Sequence, residues 1–274
     1  RRTCVARRAA SVFFDTPFSP EDNERVLQAL RKERLPMNRR PVAYDGRPEL
    51  ERRGCTIGLT QDYASGLAVP TTATRKRPEL AKALTEACRN ADPNFRYTSI
   101  QVNLNAKYRM HTDGFDAGAS RMFTLGNFTR GRMWLHDWDA GDWQAVDCRD
   151  RWIAFDGREF HLTEEWDGPE RYSLVYFTHP AWRCETLGPE AREKLEALGF
   201  PWPTEADVFT KPMPRPDVRR GPAEEALPPG MLALERELPP AGWPASAAAE
   251  AAKAADRATS QRRSGTSAAL QPSS

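Results

Sequence analysis

Between positions 97 and 178 the chain breaks into eight short runs rich in β-branched and aromatic residues, at 97–103, 108–112, 121–125, 132–136, 143–146, 152–155, 159–163 and 171–178, parted by Gly, Asp or Asn. Runs this short, with turn signals at roughly 8–12-residue spacing, predict a sandwich or jelly roll of antiparallel strands. Helices flank them. Ser19 followed by Pro20, Glu21 and Asp22 is a helix start, with Val26, Leu27 and Leu30 on one face and an end before Pro36. Leu80, Leu84 and Cys88, spaced by four, predict a second helix from Pro78, and 189–198 a last one. The fold class is mainly β with flanking helices. Residues 1–94 form a helical and strand support, 95–200 the jelly-roll core with its closing helix, and 201–274 a tail. That tail is proline-rich to Pro244 and then Ala/Ser-rich, a composition that predicts disorder apart from a marginal Ala-rich helix near 247–258.

Charge and thiols restrict the class of protein. Forty Lys+Arg against 38 Asp+Glu leave a net charge of +2, which argues against attachment to nucleic acid by bulk charge. No run approaches the roughly 18 apolar residues of a membrane span, so no membrane partner is expected. Cys4, Cys55, Cys88, Cys148 and Cys184 are scattered and never form a C-x-x-C pair, which fits idle thiols in a reducing compartment. An intracellular location, cytoplasmic or nuclear, follows as the expectation. The chain opens on Arg1, so an upstream segment is expected.

Four histidines are present, and two carry a pattern. His111-Thr112-Asp113 ends a predicted strand, where a period of two puts His111 and Asp113 on one face. His161, on another strand, supplies a third donor. Two imidazoles and a carboxylate make the facial triad of a non-haem Fe(II) site, although the same ligands also suit Zn or Mn. Further on, Arg171 and Ser173 share a strand face that Val175 and Phe177 continue, and an arginine with a neighbouring hydroxyl suits a carboxylate. His136 and His179 read as ordinary core or surface histidines. Walker, H-E-x-x-H, G-x-S-x-G and dinucleotide-binding motifs are missing from the sequence.

His111-Thr112-Asp113, then Phe155-Asp156-Gly157 leading to His161, then Arg171-Tyr172-Ser173 resembles the Fe(II)/2-oxoglutarate-dependent dioxygenase superfamily over residues 95–180. The resemblance implies a double-stranded β-helix, with His111, Asp113 and His161 as iron ligands. It implies 2-oxoglutarate as co-substrate, gripped by Arg171 with Ser173 assisting, and O2 as oxidant. Tyr108 falls beside the same pocket, and Asn103 and Asn105 are candidate pocket amides. The implied reaction is hydroxylation, with release of succinate and carbon dioxide. Its substrate is either a protein side chain, as in the prolyl-hydroxylase branch, or a nucleobase. Short basic clusters at Arg1-Arg2 with Arg7-Arg8, Arg39-Arg40 and Arg75-Lys76-Arg77 lean slightly to nucleic acid. The alternatives are an inactive jelly-roll binding module and a metal-dependent cupin-like enzyme without 2-oxoglutarate. The loop 114–120 reads equally as a plain connection or a lid.

Overall fold

The computed structural model describes residues 12–17, 19–38, 40, 43–45, 50–62, 64–113, 116–137, 142–183, 185, 187–188 and 190–209. The Ala-rich stretch 247–258, the first two basic pairs, Arg39, Gly114 and Phe115 lie outside these residues. The elements run β1 (Val12–Pro17), α1 (Pro20–Arg31), β2 (Ala43–Asp45), β3 (Arg53–Gln61), β4 (Ala68–Pro70), α2 (Thr72–Lys76) and α3 (Pro78–Ala91). They continue with β5 (Ser99–Leu104), β6 (Ala106–Tyr108), β7 (Ser120–Leu125), β8 (Thr129–Arg130), β9 (Met133–Asp137), β10 (Asp142–Val146) and β11 (Arg151–Phe155). Last come β12 (His161–Thr163), β13 (Trp166–Asp167), β14 (Tyr172–Phe177) and α4 (Ala191–Glu196), with 3-10 turns at Pro180–Arg183 and Glu205–Asp207.

Seven strands pair antiparallel in the order β1-β11-β7-β14-β5-β3-β4, and β10-β9-β12 form a smaller sheet. Side-chain alternation builds two cores from the large sheet. Along β14, Leu174 and Tyr176 enter one core with Leu80, Leu84 and Cys88 of α3 and Val26 and Leu30 of α1. Val175, pointing the other way, packs on a second core. There Met122, Ile153 and Phe155 of the large sheet meet Met133, Leu135 and Val146 of the small one. Two antiparallel sheets closed over a shared interior are the jelly roll, or double-stranded β-helix.

Helix α1 begins as its sequence dictates. The Ser19 hydroxyl accepts the Asp22 N–H at 3.1 Å, a cap that contributes about 1 kcal/mol, and Pro20 stands at the first helical position. The expected run at 108–112 is corrected: β6 ends at Tyr108, and His111 joins the fold through an isolated bridge to His161. Strand β3 and the short α2 carry no clear signal in the sequence. In β3, Gly58 lies at φ +113°, where an added Cβ would come within 2.2 Å of the Thr98 carbonyl, so its glycine is demanded by close packing and interrupts the apolar pattern.

Residues 201–209, expected to belong to the tail, are folded. Phe200 and Trp202 are buried in the first core, and the Tyr97 N–H donates to the Pro201 carbonyl at 3.2 Å. Contacts continue to Phe209, because large aromatic residues between the prolines offset the entropy of ordering them. Cys55, Cys88 and Cys148 are free thiols, and Cys4 and Cys184 lie outside the described residues. Among the described residues, no helix is long and apolar enough to cross a membrane.

Candidate metal centre

Side chains from two segments remote in sequence, His111 with Asp113 and His161, meet in space. Each of His111, Asp113 and His161 offers a donor atom, and these lie within 4.8 Å of one another. The local backbone explains the convergence. His111 and His161 exchange both N–H···O bonds at 3.0 Å, which sets their rings side by side with centroids 4.2 Å apart. Asp113 lies beyond any strand, so the period-two argument does not place it; its N–H donates to the Gly157 carbonyl at 2.7 Å and brings the carboxylate back to both rings.

The ring orientation tests whether a cation fits. Nδ1 of His111 lies 2.6 Å from the Arg109 carbonyl, and Nδ1 of His161 lies 2.9 Å from the Glu159 carbonyl. A carbonyl only accepts, so each Nδ1 carries the proton and each Nε2 presents a lone pair. Those Nε2 atoms stand 3.9 Å and 3.6 Å from the Asp113 carboxylate oxygens. Two converging lone pairs and a carboxylate, with the tautomers fixed from behind, suit a divalent cation. Burial and the neighbouring His161 lower the His111 pKa to about 3, so the ring is neutral at physiological pH. Burial alone would raise the Asp113 carboxyl, but its place beside His161, His111 and the Arg40 guanidinium holds it below the usual range.

Tyr108 stacks on His111 with ring centroids 5.4 Å apart and leads into a buried amide network. Its hydroxyl donates to Asn103 Oδ1 at 2.8 Å and receives Asn38 Nδ2 at 2.9 Å. Asn103 Nδ2 then donates to Ser173 Oγ at 3.2 Å, and Gln101 Nε2 also donates to Asn103 Oδ1, at 2.9 Å. Asn105 behaves differently from Asn103. It turns the chain between β5 and β6 at φ +51°, a conformation asparagine tolerates, and its Oδ1 accepts the Arg171 N–H at 2.8 Å. It therefore holds the Arg171 backbone and takes no place in the amide network.

Arg171 precedes β14 on the face shared by Ser173 and Val175, and it is only 2 % exposed. Its Nη2 donates to the Gly131 carbonyl at 2.9 Å, and its guanidinium lies 5.4 Å and 5.5 Å from the rings of Phe128 and Trp166. Nε has no hydrogen-bond partner, and among the described residues no carboxylate lies within ion-pair distance of this cation, Asp147 acting only from farther away. Burial lowers its pKa to about 10.

Two site residues come from the N-terminal support and escaped the motif search. Asn38 is one. Arg40 is the other, with Nη2 4.0 Å from Asp113 Oδ1 and its guanidinium 5.9 Å from the centre of the Tyr108 ring. As half of a basic pair, Arg40 is visible in the sequence, but its position beside Asp113 is a tertiary fact. Asp116, within the loop after the triad, accepts from Ser120 Oγ at 3.0 Å, and burial with Asp113 nearby raises its carboxyl well above the usual range. The other basic cluster ties down backbone: Arg75 donates to the Pro70 carbonyl at 2.8 Å, and Arg77 to the Arg34 carbonyl at 3.0 Å. His179 accepts the Ala181 N–H at 3.2 Å, and His136 packs edge-on to Trp143 at 5.1 Å.

No known family matches the chain by its sequence profile, and no curated protein matches it. Solved structures do resemble it. An oxidoreductase of the 2OG-Fe(II) oxygenase family from Burkholderia pseudomallei is 18% identical, with a TM-score of 0.40, over 58% of this chain and 78% of that one. A Pseudomonas putida prolyl-4-hydroxylase is 16% identical, with a TM-score of 0.36, over 62% and 94%. NgTET1 in complex with 5mC DNA is 16% identical, with a TM-score of 0.37, over 58% and 66%.

Proposed function

We propose that the protein is a non-haem Fe(II)- and 2-oxoglutarate-dependent dioxygenase. The observation that carries this reading is the pairing of two features in one jelly-roll interior. One is a His111/Asp113/His161 donor set with both Nε2 lone pairs turned inward. The other is the buried Arg171 cation, which makes no ion pair among the described residues and feels only the more distant charge of Asp147. A buried charge without a counter-ion is costly, and an anionic ligand is the simplest relief.

In this reading His111, Asp113 and His161 hold Fe(II), which with 2-oxoglutarate supplies the oxygen-activating chemistry. Arg171 binds the distal carboxylate of 2-oxoglutarate through its planar fork. Ser173 Oγ, already receiving a hydrogen bond from Asn103, keeps its own O–H for the same carboxylate. Tyr108 and Asn103 wall the pocket beside His111. The Nδ1 protons stay on the rings because the Arg109 and Glu159 carbonyls hold them there.

Anaerobic addition of Fe(II) and then 2-oxoglutarate to the metal-free protein tests the reading. A weak visible charge-transfer band, lost in Arg171→Ala, supports it. Binding of Fe(II) without any band, in folded protein, favours a cupin-like metal enzyme, a reading to which the existing Arg171–Gly131 hydrogen bond lends weight. The substrate is a protein side chain or a nucleobase, and DNA binding that weakens steeply with added salt marks the second.

A further inference from the structure

The last described residues, 204–209, return to the turn and loop beside the metal centre. After Trp202 enters the core, Thr204 and Asp207 close a capped turn, with the Asp207 carboxylate accepting the Thr204 N–H at 2.8 Å and its hydroxyl at 2.7 Å. The Asp207 carbonyl then lies so close to Gly118 that a Cβ there would approach it to 2.7 Å. Two residues on, the Phe209 N–H donates to the Ala117 carbonyl at 2.8 Å. The Phe209 ring meets the Arg158 guanidinium at 3.5 Å from carbon to centroid.

These contacts fall on the two pieces of backbone that place Asp113. Ala117 follows Asp116, which is bonded to Asp113, and it is tied to the fold by its own N–H to the Thr178 carbonyl at 3.0 Å. Arg158 belongs to the turn Asp156-Gly157-Arg158, whose Gly157 carbonyl accepts the Asp113 N–H. Within that turn Arg158 spends Nε and Nη2 on the Asp156 carboxylate at 2.8 Å and 2.6 Å, and its backbone N–H on Asp156 Oδ1 at 3.0 Å. With Nε and Nη2 bound to Asp156, Arg158 turns a flat face to the Phe209 ring.

We propose that Phe209 is a positioning residue of the metal centre: it holds the Asp156–Arg158 turn through its ring and Ala117 through its N–H, and Ala117 adjoins Asp116, whose N–H donates to the Asp113 carbonyl at 3.0 Å, so Asp113 is fixed from both sides. Metal affinity then depends on docking of the segment 204–209, and anything that lifts this segment off Arg158 weakens the centre. The inference rests on the metal reading above.

Titration of the full-length, metal-free protein with Co(II) alone, followed through its visible d–d bands, tests both. Wild type binds, and Phe209→Ala binds about tenfold more weakly with altered bands, the range seen when outer-shell partners are lost. Phe209→Tyr keeps the ring and stays within about twofold of wild type. Phe200→Leu, a core change next to Tyr97 that leaves the turn untouched, separates positioning from general loosening. It retains wild-type affinity and bands even where its melting temperature falls as far as that of Phe209→Ala. Equal affinity in wild type and Phe209→Ala overturns the inference, and so does an equal loss in Phe200→Leu. Failure of wild type to bind Co(II) overturns the metal reading itself, and this inference with it.

Discussion

Arg171 donates from Nη2 to the Gly131 carbonyl at 2.9 Å, and this one backbone oxygen is the sole hydrogen-bond acceptor that the described residues give the guanidinium. A cation kept in the interior with so little compensation costs stability, and a stable fold retains it only for a use. Arg171→Met keeps the length and removes the charge. It raises the melting temperature or leaves it unchanged while abolishing the visible response to 2-oxoglutarate. A thermal melt read beside the Fe(II)/2-oxoglutarate titration checks both halves, and a lower melting temperature would show that the charge is structural.

Gly131 offers an independent route to the same cation. It sits at φ +71°, and an added Cβ would lie 2.9 Å from both Arg171 Nε and Trp166 Cβ. Gly131→Ala costs about 1–2 kcal/mol from backbone conformation alone. It also pushes Arg171 out of place, so 2-oxoglutarate binding weakens while Co(II) affinity stays at the wild-type value. Urea unfolding and the two titrations separate these effects.

Tyr108→Phe deletes a hydroxyl that both donates to Asn103 and accepts from Asn38. Asn103 Oδ1 keeps Gln101 and Asn38 as donors, at 2.9 Å and 3.2 Å, so the loss falls near about 0.5–1.5 kcal/mol, the usual net value of one hydrogen bond. Weaker 2-oxoglutarate binding with unchanged metal affinity is the expected outcome. A variant that loses metal as well would place Tyr108 against His111 as a support for the ring.

Much of this arrangement was legible in the residues, and the reasons for the rest are physical. Strand periodicity is a local signal, so seven of the eight expected runs carry strands β5, β7, β9, β10, β11, β12 and β14. The H-x-D pair and the later histidine survive as a spatial cluster although Asp113 lies off any strand, because backbone hydrogen bonds to His161 and Gly157 do what strand alternation was expected to do. What stayed hidden depends on contacts between segments far apart in the chain. Arg40 and Asp113 are an example, as are Asn38 with Asn103 and Phe209 with Arg158. No spacing rule links them. Proline-rich composition also masked the anchoring of Trp202, buried in the first core, and of Phe209, packed on Arg158.

Arg40 and a bound divalent cation compete for the charge of Asp113. The guanidinium is half-exposed at 4.0 Å, so solvent screening keeps the interaction to about 1 kcal/mol or less. Arg40→Ala removes a positive charge from beside the site, and Co(II) therefore binds up to about fivefold more tightly at low salt, the gain shrinking as salt is added. Weaker binding in this variant would mean that Arg40 orients the carboxylate more than it opposes the metal.

Acid sensitivity follows from His111. Its folded-state pKa is lowered to about 3 from an ordinary 6.5, first by burial and then by His161. Between those values the unfolded chain takes up a proton that the folded chain refuses. The contribution of the neutral ring to stability is therefore complete above pH 6.5, declines as pH falls, and is gone below about pH 3. Asp113 acts in the same direction at lower pH, since its carboxyl titrates below its ordinary 3.8 in the folded state. Urea unfolding of the metal-free protein should show stability falling from pH 6.5 downward, and His111→Asn, which removes the titrating ring, should flatten that slope. An equal slope in the variant would assign the acid sensitivity to other groups. Saturating Co(II) binds only the neutral ring and extends the stable range to lower pH, so the apo and metal-loaded curves separate most in the mildly acidic region.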